Sequence, residues 1–321
     1  MSNFALFFIA LFLLWLGAEL VTRAAIKIAK SLAMSEGFIG LTIVAIGTSF
    51  PEIIIAVTGA IRQLNGIDSS QIVIGNVIGS SMANLALILG IVGLLKVIKL
   101  QKTELLLDML MLVMSTTIFY FLGQDGIINQ QDGILLILFY LVYLLFLNRQ
   151  NLKKQSLLCK KNKKIKTKKI QKINYLSFFQ LILGLVILFK ASQMVLSHGV
   201  LIAEVLGVNE MLVGILLVGL GSSLPELMVS ITAMRKGSTA LSLNNLIGSN
   251  ILNVFLALGL SGTITSWEIN RQLVLFDVPY LLFTTIIAVL FLLSKNKFER
   301  KESILMVALY AIYIILKLSG F

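Results

Sequence analysis

Residues 37–61 read GFIGLTIVAIGTSFPEIIIAVTGAI, and the hexapeptide Gly47-Thr48-Ser49-Phe50-Pro51-Glu52 (GTSFPE) stands in the middle of that apolar run. About 20 apolar residues suffice to cross a hydrocarbon core of roughly 30 Å. A glycine, a proline and a carboxylate at the centre of such a span mark a helix that is broken and carries a charge where neither is cheap.

The chain of 321 residues is 58% hydrophobic and 13% charged, with a mean hydropathy of +0.96. Unbroken apolar runs recur along its length, so the expected fold is an all-α membrane protein rather than a β-barrel, whose strands alternate in polarity. The N-terminus, MSNFALFFIALFLLWLGAEL, has no basic leader or small-residue cleavage site and reads as a retained first helix. A single cysteine, Cys159, excludes an intramolecular disulfide and a thiolate cluster, and a single histidine, His198, excludes a multi-histidine metal site. Cys159 is expected in a lysine-rich loop and His198 at a helix end. The net charge of +12 is not a nucleic-acid footprint, because eleven Lys/Arg are packed between Arg149 and Lys172. That run is expected to be a cytoplasmic loop that orients the protein and meets anionic lipid headgroups.

Apolar runs between polar breaks predict ten spans, near 3–22, 37–61, 72–95, 104–123, 132–148, 175–197, 210–234, 242–264, 272–294 and 303–319. With the basic loop at 149–173 inside, 23 Lys/Arg fall on the inner side, and only Arg62, Arg271 and Lys317 fall outside; Lys190 lies within span six. The positive-inside rule favours this count and places both termini outside.

The first half reappears in the second. GTSFPE at 47–52 aligns with GSSLPE at 221–226 at an offset of 174, matching Gly40 to Gly214, Gly47 to Gly221, Pro51 to Pro225 and Glu52 to Glu226. GNVIGSSMANLALILG at 75–90 aligns with NNLIGSNILNVFLALG at 244–259 at an offset of 169, matching Asn76, Ser80 and Asn84 to Asn245, Ser249 and Asn253. Asp108 and Asp277 keep that offset. Five helices per repeat is an odd number, so the second repeat enters the membrane from the opposite side, an inverted-topology pair with broken helices at the midplane. The implied units are 1–148 and 175–321, joined by a basic linker, 149–174. Duplication for packing alone explains shared glycines but not a glutamate retained at one depth in both halves.

Two carboxylates facing one another in a low dielectric must share protons or hold a cation. Proline and glycine are expected to unwind Gly47–Pro51 and Gly221–Pro225, freeing carbonyls that are tolerated only against a cavity or an ion. With the hydroxyls of Thr48, Ser49, Ser222 and Ser223, and further oxygens from Ser80, Asn84, Ser249 and Asn253, the set is all oxygen. Such ligands suit calcium or sodium rather than zinc or copper. One divalent or two monovalent ions neutralise the pair, which is a physical basis for exchange.

At these residues the sequence resembles the calcium/cation antiporter family, which includes the sodium/calcium exchangers. GTSFPE and GSSLPE look like its repeated G-T-S-x-P-E signature, and GNVIGSSMAN and NNLIGSNILN like its companion stretch. The resemblance implies that Glu52 and Glu226 are the main cation ligands, completed by Thr48, Ser49, Ser222, Ser223, Ser80, Ser249 and Asn84. It also implies that spans one and six slide across the rest. Ser222 stands for the usual threonine and Ser81 for the usual asparagine, and Asn253 occupies a position where some members carry aspartate.

The expected function is therefore antiport of Ca2+ against Na+ by a multi-pass, monomeric protein of a prokaryotic cell (inner) membrane, with no cofactor and no enzymatic activity. A Ca2+/H+ or K+-dependent exchanger is the alternative, and a passive cation channel a more distant one. Asp108 and Asp277 are read as membrane-edge residues, and Glu19 as a satisfied polar contact more readily than part of an ion path.

Overall fold

The computed structural model describes residues 3–32, 34–99, 102–161, 175–205, 219–294 and 297–319. Residues 162–174 of the basic linker, and the first part of expected span seven with Gly214, lie outside the described residues.

The described residues are helical almost throughout. α1 is Asn3–Ser31. A bent segment follows: α2 (Glu36–Ile39), a π-helical turn at Gly40–Val44, α3 (Ala45–Thr48) and α4 (Phe50–Leu64). Next come α5 (Ser70–Met82), a π turn at Ala83–Ile88 and α6 (Leu89–Leu95), and then α7 (Lys102–Leu122) and α8 (Gln130–Lys161). The second half has α9 (Tyr175–Val205), α10 (Gly219–Gly221), α11 (Leu224–Arg235) and α12 (Thr239–Leu252). A π turn at Asn253–Leu258 leads into α13 (Gly259–Ile264). A further π turn at Leu273–Asp277 opens α14 (Val278–Ser294), and α15 (Arg300–Leu318) completes the fold.

Among the described residues, seven helices are long and apolar enough to cross a membrane, and an eighth span results if the pair Glu36–Thr48 and Phe50–Leu64, bent by 46°, counts as one. The chain is an integral, multi-pass helical membrane protein.

Several helices outrun their apolar stretches. α1 continues through Arg23, Lys27 and Lys30, expected in a loop, as far as Ser31. α8 continues to Lys161, so Cys159 lies on a helix rather than in a loop. At 32 residues, and about 1.5 Å each, α8 is about 48 Å long, well beyond a hydrocarbon core. His198 sits two turns inside α9 instead of at its end.

α1 and α9 run antiparallel in close contact. A Cβ added at Gly17 would lie 2.9 Å from the Leu188 nitrogen, and one at Gly184 would lie 3.0 Å from the Val21 nitrogen. Their buried apolar side chains form a cluster of their own with Ile39, Val44, Val229, Ala233 and Leu241. A larger cluster unites α5–α8 with α12–α15. α12 crosses the first part of the broken span at equally short range: a Cβ on Gly248 would come within 2.8 Å of the Leu41 carbonyl, and one on Gly40 within 2.8 Å of the Leu241 carbonyl.

Two short antiparallel ladders link the halves. β1 (Ile98–Lys99) pairs with β4 (Lys297–Phe298), setting Ile98 opposite Phe298. β2 (Ile127–Ile128) pairs with β3 (Trp267–Glu268), setting Ile128 opposite Trp267. Ile98 and Trp267 are 169 residues apart, and Ile128 and Phe298 are 170 apart. Each strand of the first half therefore pairs with the counterpart of the other. A further matched feature is a tyrosine hydroxyl given to a buried aspartate, Tyr143 to Asp108 at 2.9 Å and Tyr313 to Asp277 at 2.7 Å. Asp277 also pairs with Lys317 at 3.0 Å. Both aspartates, read from the sequence as membrane-edge residues, are buried and hydrogen-bonded.

Candidate functional site

Both helix breaks are tighter than expected. In the first half only Ser49 leaves the helix (φ −83°, ψ 10°), between α3 and α4. In the second, Ser222 and Ser223 separate α10 from α11. Pro51 and Pro225 each stand in the first turn of the following helix, where a missing N–H is tolerated. The same missing N–H leaves the carbonyls of Gly47 and Gly221, four residues back, without their usual helical donor. Glu52 and Glu226 also lie in first turns, where the positive end of a helix favours an anion.

All ten candidate residues are buried. Glu52, Glu226, Ser49, Asn84, Ser249 and Asn253 have no exposed surface; Thr48, Ser80 and Ser223 are 1% exposed and Ser222 8%. Glu226 draws the two halves together, since its Oε1 accepts from Ser49 Oγ at 2.9 Å and from Ser249 Oγ at 3.2 Å. Asn253 Nδ2 donates to Ser80 Oγ at 2.8 Å, a second contact between the halves. Glu52 and Glu226 are both fully buried, and Glu226 is bonded to Ser49, three residues from Glu52. Ser222 lies beside Glu52 but off hydrogen-bonding geometry. Ser223 and Asn84 are buried without hydrogen bonds to the other candidates.

The distribution of unsatisfied atoms is informative. Both carboxylate oxygens of Glu52, Oε2 of Glu226, the hydroxyls of Ser222 and Ser223, Oδ1 of Asn253 and the side-chain amide of Asn84 have no hydrogen-bond partner. Buried polar groups are nearly always bonded, and a buried carboxyl group needs a compensating charge or a proton. Among the described residues no Lys, Arg or His pairs with either glutamate, and no group of three or more His, Cys, Asp or Glu gathers elsewhere as a metal site. An oxygen-rich cation centre made of carboxylates, hydroxyls and amides answers this deficit; hard ions of the calcium and sodium type fit such donors.

Sequence reasoning missed two features. Asn84 and Asn253 fall in the π turns Ala83–Ile88 and Asn253–Leu258, which re-aim side chains relative to a regular helix. Asn245, aligned with Asn76 but assigned no role, accepts a hydrogen bond from Thr48 Oγ1 at 3.2 Å. Its place in the repeated stretch was the available signal.

Glu19 makes a bonded contact, as its bland reading expected. It accepts from Arg23 and from Lys236, both at 2.6 Å, which ties α1 to the residue that ends α11.

Fold and site together define a multi-pass helical membrane protein in which two broken helices bring buried acids from both halves to one place. The family model described as "Sodium/calcium exchanger protein" matches residues 2–148 and 176–319, and the chain belongs to that family. It is 29% identical to the sodium/calcium exchanger MaX1 of Methanosarcina acetivorans, over 98% of this chain and 97% of that protein. It is 28% identical to the inner membrane protein YrbG of Escherichia coli, over 88% and 86%. The solved structure of the sodium–calcium exchanger NCX_Mj soaked with zero Na+ and Ca2+ superposes with a TM-score of 0.82 at 27% identity, covering 98% of each chain.

Proposed function

We propose that this protein is a secondary antiporter that exchanges Ca2+ for Na+ at a single buried centre held by Glu52 and Glu226. The observation that carries this reading is the pair of fully buried acids, set among hydroxyls and served by no basic side chain among the described residues. Two negative charges are balanced by one divalent or two monovalent cations. Either load neutralises both acids, and adding the second to the first would over-compensate them. Thr48, Ser49, Ser222, Ser223, Ser80, Asn84, Ser249 and Asn253 supply neutral oxygens. Family membership and the names of the relatives, sodium/calcium exchangers among them, support Na+ and Ca2+ as the transported ions. A transporter of this kind has no enzymatic step and takes its ions as cargo.

The chain is read as ten spans in two inverted repeats, 1–148 and 175–321, joined by a basic linker at 149–174. The crossed pairing of the ladders supports this: a twofold axis in the membrane plane turns β1·β4 on one face into β3·β2 on the other. With the lysine-rich linker inside, both termini are outside, the membrane is a prokaryotic cell membrane and the linker meets anionic lipid. A single chain holds the whole centre, so a monomer suffices.

The test is isotopic Ca2+ uptake into proteoliposomes with Na+, K+ and proton gradients imposed separately. Uptake driven by an outward Na+ gradient is expected. Uptake indifferent to Na+ but driven by a pH gradient overturns the assignment in favour of proton exchange, and downhill flux with no counter-ion overturns it in favour of a channel.

A further inference from the structure

Thr48 and its counterpart Ser222 are not held alike, and the difference lies in residues outside the ligand set. Asn245 is fully buried between Thr48 and Ser230. Ser242 Oγ donates to the Ser230 carbonyl at 2.9 Å, and Ser230 Oγ donates to the Ser242 carbonyl at 3.5 Å. With its hydrogen directed to that carbonyl, Ser230 Oγ accepts from Asn245 Nδ2 at 3.3 Å. In this arrangement the amide nitrogen of Asn245 faces Ser230. The carbonyl oxygen of Asn245, an atom that can only accept, is turned to Thr48 Oγ1. The Thr48 hydroxyl donates to Asn245 at 3.2 Å or to the Ala45 carbonyl at 3.3 Å, both directed away from the acids.

A hydroxyl can hold a cation only through its lone pairs. A carboxylate nearby would otherwise attract the hydroxyl hydrogen, and Thr48 is close to Glu226. We infer that Asn245 is a positioning residue: it takes the Thr48 hydrogen and so presents the lone pairs of that hydroxyl to the ion. The inference rests on the proposed cation centre and adds to it a residue that does not touch the ion.

The other half lacks the device. At the repeat offsets, Ser230 corresponds to Ala56 and Ser242 to Val73. Asn76 is thus left without the hydroxyl that anchors Asn245; its Nδ2 is buried with no partner, and so is the Ser222 hydroxyl. One side of the centre is pre-set and the other is free to adapt.

The test is Ca2+ binding to the purified full-length protein by isothermal titration, with thermal melting to verify the fold. Asn245→Leu, close in size, is expected to weaken Ca2+ binding about five- to ten-fold, the effect of one hydrogen bond. Ser230→Ala weakens it in the same direction, and Asn76→Leu leaves it within about two-fold. A merely structural role for Asn245 is separated by Thr48→Val. If Asn245 acts through Thr48, the double variant binds no worse than Thr48→Val alone. Additive losses, or an Asn245→Leu protein that binds as wild type does, overturn the inference. Should Asn245→Leu fail to fold, the same cycle with Ser230→Ala decides by the same criterion. A wild-type protein that binds no Ca2+ overturns the proposed function itself, a different result from an intact wild type with a silent Asn245→Leu.

Discussion

Glu52 and Glu226 occupy equivalent positions but are held differently. Glu226 Oε1 accepts two serine hydroxyls, whereas neither oxygen of Glu52 has a hydrogen bond. Replacement by glutamine is expected to abolish Ca2+ exchange at either position, measured as Na+-driven uptake into proteoliposomes. The effects on stability should diverge. Glu52→Gln removes a buried acid that has no hydrogen bond and, with no ion bound, must take up a proton or stand uncompensated, and should raise the melting temperature of the ion-free protein. Glu226→Gln keeps an acceptor for Ser49 and Ser249 but turns two charge-assisted bonds into neutral ones, and should lower it, at a cost of about 1 kcal/mol. Equal shifts in calcium-free melts would contradict this asymmetry. The acids and hydroxyls were legible because a carboxylate and a proline inside an apolar run have few bland explanations. The role of Asn245 was not, since it depends on how an amide is turned by Ser230 and on a contact with Thr48, 197 residues away in sequence.

Among elements, the antiparallel pair α1 and α9 stands apart from the larger apolar cluster, and glycines bring its two backbones together. A side chain at Gly184 meets the Val21 backbone at 3.0 Å and Leu20 Cβ at 3.0 Å, atoms that cannot swing aside. Gly184→Leu should therefore wedge the pair apart, destabilising the protein by about 1–3 kcal/mol and suppressing exchange. A melt and uptake rate equal to wild type would show that the pair tolerates separation. The ion pair from Glu19 to Lys236 is partly exposed and contributes little to stability of its own. Ten spans were expected from apolar runs, and among the described residues seven helices, or eight with the bent pair, are long and apolar enough to cross a membrane; helix ends were not legible. An apolar run marks the thickness of the membrane, and nothing in Arg23, Lys27 or Lys30 prevents a helix from continuing into water, as α1 does. The π turns were equally illegible, because they are set by packing rather than by a residue type.

At the scale of the molecule, the positive-inside pattern and the repeats lead to a definite orientation that labelling can test. In a Cys159→Ser background, Arg62→Cys and Lys96→Cys place single thiols on exposed residues predicted to face opposite sides. An impermeant thiol reagent added to intact cells should modify the first, and should modify the second only after the membrane is opened. The reverse pattern would invert the topology. The repeat itself was visible in sequence through the glutamate motifs and their companions, while the crossing of its two copies required coordinates, because two-residue strands leave no periodicity to read. Those ladders carry a consequence for how the protein can be assembled. Ile98 against Phe298 and Ile128 against Trp267 are buried stitches between the halves, one in each ladder, and neither involves the lysine-rich connector. Residues 1–148 and 175–321, made as separate polypeptides in one cell, should find each other and restore sodium-driven calcium uptake. Fragments that co-purify in neither detergent nor lipid would mean that the covalent tether, rather than the stitching, keeps the two halves in register.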